Sequence, residues 1–342
     1  MLRAYAVAGF ISVVLAAGFL CSSALHAQQL TQYAHTAWRL QDGGIDASPV
    51  SIAQTTDGFL WIGTRNGLLR FDGVRFESWN DRIHELHACC AYSLLGSGDG
   101  SLWIGASPAL ARLKDGQLSV IASVAFHDHL IEDHRGRIWV ARTRVQDGKG
   151  PLCEIQGTGL HCPTQAEELG CQHAGALTED RNGTIWAADF GGKVCSWKDG
   201  AAATFAAPPA DAACKPAIQS LLEDSDGSIL IGCSGGLRRL KQGRFVPFQA
   251  GSLDGDTLHG SKLLFDRSGD LWIGTANDGV YHLSRGVADH FGQADALSDD
   301  NILALYEDRE GTIWAATANG IDRFRRLSVV SFSNKQGLQG PW

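Results

Sequence analysis

The sequence has no basic run longer than two or three residues, and Arg323-Phe324-Arg325-Arg326 is typical of its densest clusters. With a formal net charge of -8, it presents no electrostatic footprint for nucleic acid or for an anionic membrane surface. None of the nine cysteines forms a CxxC pair, which argues against a zinc site. It also lacks a nucleophile elbow, a phosphate loop and a deaminase signature, so those chemistries have no residues to carry them. Beyond the first twenty residues no apolar run is long enough to span a bilayer. Methionine is nearly absent, at 1 residue, whereas Gly (41) and Trp (10) are frequent. Many glycines alongside many tryptophans suit a turn-rich β protein better than a helical one.

What is present first is an address. Arg3 gives a short positive start, Ala4–Leu20 is apolar, and Leu25-His26-Ala27 is an acceptable cleavage site. Residues 1–27 read as a secretory signal peptide, with an uncleaved anchor helix as the alternative. The mature chain is therefore expected to be exported.

What is present next is a repeat. GDGSLWIGAS at 98–107, DRNGTIWAAD at 180–189, DSDGSILIGC at 224–233, DRSGDLWIGT at 266–275 and DREGTIWAAT at 308–317 are variants of one phrase. Aligned on its turn glycine, the phrase occurs at Gly58, Gly100, Gly136, Gly183, Gly227, Gly269 and Gly311, in steps of 42, 36, 47, 44, 42 and 42. Three residues before each glycine stands Thr55, Ser97, Asp133, Asp180, Asp224, Asp266 or Asp308. Such short oxygen-bearing side chains bond the amides just ahead and start a tight turn. Three residues after the glycine comes Trp61, Trp103, Trp139, Trp186, Leu230, Trp272 or Trp314, and two further on only Gly or Ala. A loop follows, then strands such as Gly67–Phe71 and Gly73–Phe76.

Both faces of the Trp-bearing strand are apolar, as in Leu271-Trp272-Ile273, so each small sheet is covered on both sides. The small residue fits where sheets crowd. Four-stranded antiparallel units of this length, stacked face to face, describe an all-β fold, a seven-bladed β-propeller. The propeller is expected to span 28–333, with 334–342 beginning a further repeat. Both Tyr33–Trp38 and Ser328–Ser333 resemble an outermost strand, although one ring needs only one of them there.

This repeat resembles the two-component regulator propeller family, most closely in DGFLWIGTRNGLLRFDGVRFESW at 57–79 and the preceding AHTAWRLQDGG at 34–44. The resemblance implies a periplasmic ligand sensor, with carbohydrates as the best-known ligand class. Family members usually continue into a β-sandwich, a membrane span and a histidine kinase or another output module. Those parts are missing from this sequence, yet Gln336-Gly337-Leu338 reads like the approach to another inner strand. The expectation is the sensor end of a receptor.

Ligand contacts are expected on the loops of one face. The loops after the small residue carry Arg65, Asn66, Asp189, Phe190, Asn277, Asp278 and Asn319. The loops entering the inner strands carry His87, His259, Asp299 and Asn301, with Asp46 and Ser48. Small amides, acids and an arginine round a ring mouth suit sugar hydroxyls and carboxylates, although Asn and Asp also simply make turns. The tryptophans read as packing between blades, and His127, His129 and His134 as surface residues. No cofactor or metal is expected.

Removing Cys21 with the signal leaves eight cysteines, an even number in an oxidising compartment. Cys153 and Cys162 flank a Gly-rich hairpin. Cys171 pairs naturally with Cys195, and Cys214 with Cys233, each pair within one blade. Cys89-Cys90 is either a strained vicinal disulfide or two thiols.

Three function classes fit this outline. One is a sensor propeller binding an oligosaccharide or other small molecule. Another is an enzyme like the streptogramin lyases, which are also seven-bladed and need a histidine and a metal at the channel mouth. The third is a secreted interaction platform.

Overall fold

A computed structural model describes residues 32–84, 90–106, 109–123, 129–142, 150–163, 166–206, 218–233 and 235–327. The signal peptide, His87, Cys89, His127, Cys214, Ser328–Ser333 and 334–342 lie outside them.

Seven antiparallel sheets of four strands each form the blades, with one extra two-stranded hairpin, Gln249–Ala250 with Leu253–Asp254. The inner strands, in order, are Pro49–Gln54, Ala91–Gly96, Leu130–Glu132, Ala176–Glu179, Ile218–Glu223, Gly260–Phe265 and Ile302–Glu307. Six blades run consecutively from inner to outer strand. The seventh is closed by the N-terminal strand Tyr33–Arg39, which pairs with Gly320–Arg326 from Tyr33 opposite Arg326 to Arg39 opposite Gly320. The two short α-helices, Asn80–His84 and Ala166–Leu169, lie in the connections between blades.

The repeated phrase builds the turn between the first and second strands. In blades 3, 4, 6 and 7 one carboxylate oxygen of the turn Asp accepts two backbone amides. For Asp308 these come from Glu310 at 3.0 Å and Thr312 at 2.8 Å. The other oxygen accepts the indole N–H six residues on, at 2.9 Å for Asp133 and Trp139, 2.9 Å for Asp180 and Trp186, 3.0 Å for Asp266 and Trp272, and 2.7 Å for Asp308 and Trp314. Thr55 does the same for Trp61 at 2.9 Å. The slots that the sequence shows as turn and core are thus one hydrogen-bonded unit. Blade 2 breaks it: Ser97 bonds Asp99 instead, and the buried Trp103 indole has no partner.

The small slot works as expected. A Cβ on Gly63 would meet the carbonyl oxygen of Ala91 in the next blade at 2.2 Å, and one on Gly274 would meet Ile302 at 2.5 Å. The final strand of blade 1 begins later than the sequence suggests, at Phe76–Ser78. Asp72 accepts the amides of Val74 and Arg75 at 2.8 and 2.7 Å and holds them in the turn.

Neighbouring turns are also tied to one another. An acidic or amide residue ending one inner strand accepts a backbone N–H from the preceding blade's turn. The pairs are Glu132 with Gly98 (2.8 Å), Glu179 with His134 (2.8 Å), Glu223 with Arg181 (2.7 Å), Glu307 with Arg267 (3.0 Å) and Gln54 with Arg309 (2.9 Å). The guanidiniums of Arg181, Arg267 and Arg309 then reach across to backbone carbonyls of the next turn.

Two of the expected disulfides are formed, Cys153–Cys162 and Cys171–Cys195. Cys90 and Cys233 are also disulfide-bonded; Cys214, the expected partner of Cys233, and Cys89, left open as a disulfide partner of Cys90 or a thiol, fall outside the described residues.

Candidate functional site

The inner strands surround a cavity of about 730 Å³ that all seven blades line. Its wall follows the repeat. Six residues before the turn glycine stand Ile52, Leu94, Leu130, Leu177, Leu221, Leu263 and Leu305, all on the wall. This position is aliphatic in every blade, so the level nearer the turns is an apolar girdle.

Two residues earlier the chemistry varies. The pairing of inner and second strands shifts register there in blades 1, 2, 5, 6 and 7, at Pro49/Ser51, Ala91/Ser93, Ile218/Ser220, Gly260/Lys262 and Ile302/Ala304. The skipped residues are Val50, Tyr92, Gln219, Ser261 and Leu303; Val50, Tyr92, Gln219 and Leu303 stand on the cavity wall. A bulge leaves its extra residue out of the ladder and re-aims the side chain. Here it turns a residue of blades 1, 2, 5 and 7 toward the axis. Blade 4 has Gly175 at this position, and Phe190 lies against it: a Cβ on Gly175 would meet the ring at 2.9 Å.

His129, Lys262 and Asn301 add to the polar lining, and no carboxylate is among the described lining residues. Burial, with the nearby Lys262 charge, pushes the His129 imidazole down to about 3. At neutral pH His129 is therefore neutral and can both donate and accept a hydrogen bond. Its position corrects the surface reading made from the sequence. His134, by contrast, does sit on the surface, bonded to Glu179.

The sequence-derived candidates divide. Phe190 and Asn301 are on the wall. Arg65, Asn66, Asn277, Asp278 and His259 are exposed on loops of the mouth face, and Asp299 and Asn319 are half-buried there. Several of these side chains or their amides serve the turns. Asp189 is buried and its carboxylate accepts the amides of Gly191 and Lys193, both at 2.8 Å. Asp299 accepts the Asn301 amide at 2.9 Å. Asp278 accepts the Tyr281 hydroxyl. The Asn66, Asp278 and Asn319 amides are held by the hydroxyls of Thr64, Thr275 and Thr317. Sequence reasoning missed Tyr92, Gln219 and Lys262. They lie within the inner strands rather than on loops, at positions whose identity changes from blade to blade.

Among curated proteins none matches this sequence. The two component regulator propeller repeat matches at residues 43–66 and 296–319. Among solved structures, the extracellular domain of the putative hybrid two component system BT3049 from B. thetaiotaomicron is similar, with a TM-score of 0.70 and 18% identity. The alignment covers 86% of this chain and 42% of that one. The extracellular domain of the putative one component system BT4673 from the same organism gives a TM-score of 0.67 at 18% identity, over 85% of this chain and 39% of that one. This chain therefore spans less than half the length of either. The virginiamycin B lyase from Staphylococcus aureus gives 0.64 at 14% identity, over 85% of this chain and 99% of that one. At such identities the likeness is one of fold: the chain is a seven-bladed propeller, two stretches of which match the two component regulator propeller repeat.

Proposed function

We propose that this chain is the ligand-binding sensor propeller of a two-component signalling receptor, exported to the periplasm, and that a small oligosaccharide or other polar small molecule binds in the channel. The observation that carries this reading is the cavity. Its volume of about 730 Å³ falls within the range of small-molecule sites, ~300–1,000 Å³. It joins an apolar girdle to a varied ring of aromatic, amide and cationic groups. Tyr92 and Phe190 offer faces to the C–H surface of a sugar ring, Gln219 and Asn301 offer amides to its hydroxyls, and Lys262 offers a charge to a carboxylate. Occupancy is passed to sandwich, membrane-span and kinase domains, in the same receptor or in a partner chain. The similarity to extracellular domains of two component systems supports this, as do the disulfides.

The lyase reading is the competitor, and His259 is the described mouth histidine it would use. The described His/Asp/Glu cluster with metal-ligating spacing, Asp266, Asp270 and His282, lies on the turn face, away from the mouth. The deciding experiment is an equilibrium carbohydrate-array screen of the purified chain, run beside a chelator-sensitive streptogramin lyase assay. We expect saturable binding to a restricted set of glycans and no turnover. Tyr92→Ala and Gln219→Ala should each weaken that binding about tenfold, ~1.4 kcal/mol, with unchanged melting. Chelator-sensitive turnover, or binding indifferent to both substitutions, would refute the proposal.

A further inference from the structure

Over the slot tryptophan most blades place a cation. The Arg70 guanidinium stands 5.9 Å from Trp61, Arg112 5.2 Å from Trp103, Arg137 5.2 Å from Trp139 and Arg323 5.8 Å from Trp314. In blade 6 that place over Trp272 is taken by His282, with ring centroids 4.4 Å apart. The surrounding residues have moved the opposite way in charge. Asp270 occupies the position held by Phe, Ser, Arg, Ser or Thr in the other blades, and Asp289 faces His282 from the outer strand. Where blades 1, 2 and 7 set an arginine opposite the tryptophan, blade 6 supplies carboxylates around an imidazole.

The distances leave room between these groups. His282 is 2% exposed, and neither ring nitrogen has a hydrogen-bond partner. Nε2 lies 3.5 Å from Asp270 Oδ2, and Nδ1 lies 3.9 Å from Asp289 Oδ2, which is also buried without a partner. Both separations are too long for hydrogen bonds. Buried polar atoms left this way are costly. The separation of 3.5 Å is close to the ~3.4 Å between two ligands of a tetrahedral ion with bonds of about 2.1 Å. Ligand atoms of Asp266, Asp270 and His282 all lie within 4.8 Å of one another. Asp266 Oδ2 already accepts the Trp272 indole at 3.0 Å, and a carboxylate oxygen keeps a second lone pair for an ion.

We propose that Asp266, Asp270 and His282 form a divalent-cation site of the zinc class, with Asp289 accepting the other ring N–H and orienting the imidazole. A carboxylate behind a ligating histidine fixes its tautomer and raises its basicity. One imidazole with carboxylates selects zinc, cobalt or manganese over calcium, which takes oxygen ligands. No motif announces the site, because its ligands come from a turn and the third strand of the blade. Tyr33 of the closing strand lies edge-on to Trp272 at 5.2 Å and to His282 at 5.6 Å. The ion therefore sits beneath the strand that closes the ring, far from the channel, and its role is to fasten that strand.

The test uses the full exported chain, stripped with chelator and titrated with Co²⁺ and Zn²⁺. We expect one equivalent of Co²⁺ with the intense visible absorption of tetrahedral coordination, displaced by Zn²⁺. Zn²⁺ should raise the melting midpoint by a few degrees, and Ca²⁺ should not. Asp270→Asn, at a partly exposed position, should abolish the absorption, and Asp289→Asn should weaken it about 10- to 100-fold. His282→Gln should act like Asp270→Asn, and if it fails to fold the two aspartate variants still decide. Failure to bind one equivalent, binding that survives Asp270→Asn, or equal stabilisation by Ca²⁺ would overturn the assignment.

Discussion

The smallest unit of this fold is one aspartate folded back over its own turn, and Asp133 shows it with four hydrogen bonds. Asp133 is buried, and its carboxylate accepts the amides of Arg135 and Arg137, the Arg137 guanidinium at 2.7 Å and the Trp139 indole at 2.9 Å. Burial alone would raise its pKa, but the indole and the Arg137 donors outweigh it and hold the carboxyl below its ordinary range. A depressed folded value means the stability is present above the unfolded value, about 3.9, and is lost as pH falls through the folded one. Asp133→Asn should therefore cost about 1–3 kcal/mol at pH 7, since it removes charge from several hydrogen bonds at once. The deficit should shrink as pH drops below about 4, where the unfolded parent takes up a proton that the folded carboxylate still resists. Urea unfolding of both proteins from pH 7 down to pH 3 checks this, and a deficit independent of pH would show that the charge is irrelevant. The same unit explains why the phrase was readable. Its Asp and Gly answer a turn and its Trp answers the packing between blades, needs that recur along the ring. The bond joining the Asp to the Trp six residues on was not readable, because spacing alone does not show that a side chain folds back over the turn.

Between elements, the blades are joined by side chains at the first turn position. The sequence writes Asp-Arg-x-Gly in blades 4, 6 and 7, and in each the arginine spans the joint to the next blade. Arg309 matters most, because it crosses from the last blade to the first and donates to the carbonyls of Thr55 at 2.6 Å and Thr56 at 2.8 Å. Arg309→Ala should lower stability by about 1 kcal/mol, the net worth of such hydrogen bonds at an exposed site. Arg309→Lys should recover less than half, because an ammonium lacks the planar fork that addresses two carbonyls together. Denaturant midpoints of the three proteins measure it, and a full rescue by lysine would reduce the clamp to simple charge. At this scale the channel was the harder part to read. The aliphatic girdle recurs seven times, yet Ile52 or Leu221 looks like any core residue. Tyr92 and Gln219 reach the cavity only because a bulge turns them out of the ladder, and a bulge in an alternating strand leaves no mark on composition. The mouth loops, rich in Asn and Asp, drew attention that several of their side chains spend on turns.

For the whole molecule the open question was which end of the chain closes the ring. Two stretches, Tyr33–Trp38 and Ser328–Ser333, resembled an outer strand, and neither has the clean alternation that would rank it first. Tyr33–Arg39 takes the position, and the decisive chemistry is deep in the strand. His35 Nε2 lies 2.7 Å from Asp322 Oδ1, and Asp322 is fully buried, with Ser298 as its further partner. The same strand brings Trp38 against Trp314 at 5.8 Å and Tyr33 against Trp272 at 5.2 Å. Its closure thus rests on a buried polar pair between aromatic contacts, at the one joint where sequence-distant segments must meet. His35→Ala should cost about 3 kcal/mol or more, because it strands a buried carboxylate. Removing the strand entirely, in a chain that begins at Leu40, leaves Gly320–Arg326 as an open edge, and open edges pair with other chains. That protein should melt at lower temperature and form concentration-dependent oligomers by light scattering. An added peptide of sequence YAHTAWR should restore a monomer with a raised midpoint. A truncated chain that stays monomeric with the parent's midpoint would mean that closure does not depend on this strand.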